Sequence, residues 1–189
     1  MKRVLLLFFI VLLSVTAVLA QVEDEIQVSV TVEGTVFSLA LQDSAGAPWS
    51  GGELDFGILS PGESSKPGES VIVAACQSNT TRQWFLNVSS SQLKDLKTGH
   101  VIPGRFMSVG VGDPLAQGHP ALPGIRHATT DAPRKLSLSE VAVYSSNAEG
   151  DAGFDTGYGT YIPVIFSLTV PRTQKEGTYS GIIRFTMTE

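Results

Sequence analysis

The sequence predicts an all-β protein: an Ig-like antiparallel β-sandwich of about eight or nine strands behind an N-terminal export signal. Three observations predict it. Apolar and polar residues alternate with a period of two in segment after segment from residue 26 to the C-terminus. The 19 glycines and 10 prolines fall mostly between those segments, where turns belong. Only residues 90–97 have a composition suited to even a short helix.

The first twenty residues stand apart. Lys2 and Arg3 precede an unbroken apolar run over residues 4–13, and Val18 and Ala20 supply small side chains where a signal peptidase cuts. The apolar run is too short to span a bilayer, and Glu23, Asp24 and Glu25 follow at once. Residues 1–20 therefore read as a secretory signal peptide and 21–189 as one domain, large enough for a core of its own. Cleavage takes the formal net charge from −5 to −7. Such an acidic product has no electrostatic reason to bind nucleic acid, and it retains no integral membrane span once the signal is removed. Cys76 is the sole cysteine, so no disulfide forms within the chain, and its apolar surroundings read as those of a small core residue.

The strands follow in order. Ile26, Val28, Val30 and Val32 alternate with polar neighbours, and Phe37, Leu39 and Leu41 begin a second alternation that ends in a turn-rich stretch over 43–52. Residues 53–57 suggest a short strand, and Ser60, Pro61 and Gly62 a turn. Residues 71–76 are apolar on both parities, as in a strand buried between layers. Trp84, Leu86 and Val88 share one face, and 106–111 make a weaker strand. Leu136 and Leu138 point one way and Val141 and Val143 the other, which suggests a β-bulge near Ser139 and Glu140. Ile162, Val164, Phe166, Leu168 and Val170 form the cleanest alternation, and a single last strand over 179–188 puts Tyr179, Ile183, Phe185 and Met187 on one side. Two stretches break the rhythm: the proline-rich residues 112–135 and the glycine-rich residues 145–160, both expected as long loops.

The chemistry of a catalytic or metal site is missing from the pattern. His100, His119 and His127 have no ligand spacing, and the oxygen donors of Asn147, Glu149, Asp151 and Asp155 do not match a calcium loop. Ser91 and Lys94 followed by Lys97, Thr98 and Gly99 mimic the Ser-x-x-Lys and Lys-Thr-Gly of penicillin-recognising enzymes, but those motifs converge from separate elements and here lie too close in sequence. No catalytic residue, metal ligand or cofactor is expected.

Three segments together carry a resemblance: Leu54-Asp55-Phe56-Gly57 running to Pro61-Gly62, then Gln83-Trp84-Phe85-Leu86, and last Gly177-Thr178-Tyr179 entering the final strand. Their order resembles that of WxL-type cell-surface domains of bacteria, although the place of a second Trp-x-Leu reads Phe185-Thr186-Met187. The same Phe-Gly and Gly-Thr-Tyr elements are similar to those of pilin-like and spore-coat-U-like subunits, which polymerise by donating a strand. The resemblance implies a secreted, non-enzymatic module associated with the cell surface, whose partner is a cell-wall polymer, a surface protein or another copy of itself. The alternation of Trp84 with Leu86 and Val88 favours a place in the core; with the strand's parity reversed, Trp84 and Leu86 are the candidate wall or glycan contacts. Ile26, Val28, Val30 and Val32 are the candidate donor strand.

Overall fold

The computed structural model describes residues 37–50, 53–66, 70–78, 80, 82–116, 124–146 and 160–189. The expected signal peptide, the strand expected at Ile26, Val28, Val30 and Val32, His119 and the oxygen-rich residues 147–155 lie outside them. Thirteen strands occur among the described residues: β1 (Phe37–Gln42), β2 (Val71–Ser78), β3 (Phe85–Ser90), β4 (Leu93–Asp95), β5 (Val101–Ile102), β6 (Met107–Val111), β7 (Leu115–Ala116), β8 (Ile125–Arg126), β9 (Arg134–Lys135), β10 (Val141–Ser145), β11 (Thr160–Leu168), β12 (Tyr179–Ser180) and β13 (Ile183–Thr188). The count exceeds the expected eight or nine because six of the thirteen have only two or three residues. Every strand pairing is antiparallel.

The alternation does its predicted work in two sheets packed face to face. One runs β1-β2-β11-β6-β9, with β7 also on β11, and the other runs β13-β3-β10-β8. The fold is an all-β sandwich. In β11 every second residue from Thr160 to Leu168 is buried, so one side of the strand builds the core and the other meets its surface. Val164, Phe166, Val109 and Ala74 face Trp84, Leu86, Val88 and Val143 across the sandwich in one apolar cluster. Cys76 belongs to that cluster at 1% exposure. Pro163 is tolerated in this central strand because β6 pairs with β11 only from Val164 onward and β7 only up to Tyr161. Its missing N–H thus falls at the break between the two, while its carbonyl accepts from the Gly112 N–H at 2.9 Å.

A third, small sheet, β12-β4-β5, closes one end. It corrects two expectations. Residues 90–97 form no helix: the end of β3, then β4 and a turn occupy them, with β4 held by β12 on one side and β5 on the other. The last strand is not continuous either, because β12 joins β4 while β13 joins β3 in the four-stranded sheet. The bulge also moves. The register of β10 on β3 slips between Ala142 and Tyr144, which buries consecutive residues Val143 and Tyr144. Leu138, by contrast, is 74% exposed.

The proline-rich stretch 112–135 is not structureless. It leaves β6, lays β7 on β11, crosses to place β8 on β10 in the opposite sheet, and returns as β9 on β6. Residues 117–123 of this stretch lie outside the described ones.

Candidate functional site

The edge strands of the two sheets, β1 and β13, lie beside one another on one side. Among the described residues, β1 has β2 as its only strand partner and β13 has only β3, so each sheet ends there in an edge. Between these edges and the small third sheet lies an open groove with a volume of about 820 Å³. Its depth is apolar, with Ile72, Leu93, Ile102, Met107 and Leu168 buried at its base. Leu41, Trp49, Leu54 and Phe56 line one flank, and Tyr179, Ile183 and Phe185 the other. All seven flank residues are only partly buried and pack on the core.

Local chemistry shapes each flank. Asp43 Oδ1 accepts the N–H groups of Ala45 and Ala47, both at 2.9 Å, folding the chain back so that the Trp49 N–H reaches the Leu41 carbonyl at 2.8 Å. Trp49 is thereby fixed over the end of β1. Residues 53–59 then cross the opening. The strand expected at 53–57 does not form: no strand is present there among the described residues, Asp55 Oδ1 takes the Gly57 N–H at 2.8 Å, and Gly57 has a φ of +72°. Leu54, Phe56 and Leu59 pack inward while Ile58 stands fully in solvent. The predicted turn at Ser60, Pro61 and Gly62 does form. The Glu63 N–H reaches the Ser60 carbonyl at 2.9 Å, and Gly62 sits at φ +89°, the third position of a type II turn. The Gly62 N–H then ties the turn to Val170.

On the other flank, the Tyr179 hydroxyl donates to the Lys175 carbonyl at 2.7 Å and accepts from the Gln174 amide at 2.7 Å, a tyrosine corner that holds the 174–179 loop. Gly177 lies so close to β4 that a Cβ there would stand 2.6 Å from Asp95 Oδ2. Asp95 is the anchor beneath it: Thr98 Oγ1 donates to Oδ2 at 2.5 Å and the Lys97 N–H to Oδ1 at 3.0 Å. The Thr98 hydroxyl first, then the Lys97 amide, lower the Asp95 pKa below the usual carboxylate value. The Lys97-Thr98-Gly99 sequence therefore serves a turn around Asp95.

No protein-family model matches the chain, and no curated protein does. Solved structures similar at a distance include a family 123 glycoside hydrolase from Clostridium perfringens, described for its hydrolysis of glycolipid glycans. Identity is 14%, the TM-score is 0.39, and the match spans 82% of this chain but only 25% of that one. The chain thus corresponds to about a quarter of the enzyme's length.

The remaining candidate residues fall into place around the groove or away from it. Trp84 is 1% exposed and Leu86 0%, with the Trp84 ring tilted against Tyr144 at 5.6 Å. This is a correction for their role as wall or glycan contacts, because neither offers a face to a polymer; they are core residues. His127 Nε2 lies 3.0 Å from Ser145 Oγ, and the ring stacks on Phe85. Ser145 is fully buried, and the pair ties the residue after β8 to the end of β10. His100 Nδ1 is 2.8 Å from Thr98 Oγ1 on the surface. Among the described residues, no group of three or more His, Cys, Asp or Glu is placed to hold a metal ion, and no helix is long and apolar enough to cross a membrane.

Sequence reading missed the groove. Leu54 and Phe56 were legible as an apolar pair, but the facing loop at 174–181 carries no apolar period that would reveal it as a wall.

Proposed function

We propose that the protein is an exported, non-enzymatic β-sandwich module of the cell surface that holds an extended apolar segment of a surface partner in the groove. One observation carries the reading: among the described residues, both sheets end in an edge strand beside an apolar opening of about 820 Å³. The Leu41 end of β1 is already taken by the Trp49 N–H, so the β13 edge is the one that invites a further strand, whose main chain gives affinity while alternate side chains enter pockets. The groove offers Trp49, Phe56, Tyr179 and Phe185 as large surfaces for such side chains. Residues 1–20 supply the route out of the cytoplasm.

The test is co-sedimentation of the purified, processed chain with isolated cell envelopes, untreated or digested with protease beforehand. The protein is expected to pellet with untreated envelopes and stay in solution with digested ones. Equal binding to both would point to a wall polymer and overturn the groove reading; no binding to either would remove the surface role.

A second reading has its own support. Ile26, Val28, Val30 and Val32 form an apolar face shortly before β1, suited to donation into the groove of a neighbouring copy. Deleting residues 21–33 should then abolish polymers and leave a folded monomer. An undeleted chain that stays monomeric at high concentration removes this reading.

A further inference from the structure

The rim of the groove is acidic where its depth is oily. Glu53, Asp55 and Glu176 line it, with Lys175 as the one basic lining residue among the described residues, and the whole chain carries a net charge of −5. Glu53 and Glu176 are exposed, on the lining segments 53–59 and 174–181, and the Asp55 carboxylate accepts the Gly57 N–H. A strand laid in the groove therefore has its apolar face buried and its ends beside carboxylates. Like charges brought together across such a rim disfavour a partner, and opposite charges select one.

The chain's own candidate donor has the wrong sign. Glu23, Asp24, Glu25 and Glu33 flank Ile26, Val28, Val30 and Val32, and no Lys or Arg occurs between Arg3 and Lys66. Any strand donated by the first part of a second copy would set carboxylates against carboxylates. We infer that the groove selects a cationic occupant: an extended segment of a different protein, apolar at alternate positions and bearing Lys or Arg at its ends. This rests on the groove reading above and adds which chemistry the groove accepts.

Three synthetic peptides separate the two claims, each added to the processed chain and followed through Trp49 fluorescence. The first is the chain's own residues 21–33. The second carries Glu23→Lys, Asp24→Lys, Glu25→Lys and Glu33→Lys, and the third has Gln at the same four positions. The Lys peptide is expected to bind about tenfold more tightly than the native one at roughly 0.05 M salt, with the ratio falling toward one near 0.5 M. In the E53Q/E176Q double variant, checked for folding by circular dichroism, the low-salt ratio should drop to about threefold. Native and Lys peptides binding equally, or a preference indifferent to salt, overturns the cationic occupant but leaves the groove in place. If no peptide binds, or if only a fatty-acid probe does, the strand-holding groove itself is wrong.

Discussion

Truncating Trp84 to alanine removes the largest fully buried side chain of the sandwich. Deleting a buried aromatic costs about 3–5 kcal/mol, because the transfer energy is lost and a cavity remains. Trp84 sits at the upper part of that range: its ring also packs on Tyr144 at 5.6 Å, an aromatic pair worth about 0.5–1.5 kcal/mol beyond its area. Against a total stability of about 5–15 kcal/mol, the variant loses a third or more. At roughly 2–4 °C per kcal/mol for a chain of this size, its Tm should fall by about 10–15 °C. Urea unfolding of wild type, Trp84→Ala and Trp84→Phe measures the loss, and the phenylalanine variant should recover at least half of it. A Trp84→Ala protein with under about 1 kcal/mol of destabilisation, and with weakened binding to cell walls, would falsify the assignment of this residue to the core.

The other predictions concern the groove's flanks. Gly62→Ala should cost about 1–2 kcal/mol by urea unfolding, because a Cβ at φ +89° is strained and would meet Arg172 Cγ at 3.2 Å. Gly177→Ala should cost about 1–3 kcal/mol and shift Trp49 emission, since the loop must lift off Asp95 to make room; an unchanged midpoint would show that the loop does not press on β4. The folded state lowers the Asp95 pKa, so this carboxylate contributes stability above its unfolded value of about 3.9, and that contribution disappears as pH falls through the lower folded value. Thr98→Val should flatten the fall in stability below about pH 4, and an acid limb identical to wild type would remove Thr98 as the main cause.

The strands were legible where one face is buried and the other is not. Residues 160–168 and the run Trp84, Leu86, Val88 read correctly, because burial at every second position is what a two-layer sandwich writes into its sequence. Short strands were invisible for the same reason. β7, β8 and β9 have two residues each, too few for a period, and they exist because β6, β10 and β11 offer backbone partners. The break between β12 and β13 was also hidden: the side-chain parity continues through Gly181, and only the choice of neighbour changes, from β4 to β3. Residues 53–57 failed in the opposite sense. Leu54 and Phe56 alternate like a strand, yet no ladder partner is present among the described residues and Gly57 turns the chain. The candidate site depended on where distant segments meet, which no local pattern encodes.

The position of β11 governs the order in which this protein can be made. It lies at the middle of its sheet, yet it is formed by residues 160–168, while β1, β2 and β6 all precede residue 112. As the chain emerges, β2 and β6 must wait, each with a sheet edge and an oily face in water, for a strand that arrives late. Closing loops of such length makes folding slow, and the unpaired intermediate is exposed to aggregation in the meantime. A chaperone that shields β2 through that wait should raise the yield of folded protein more than one that shields β13.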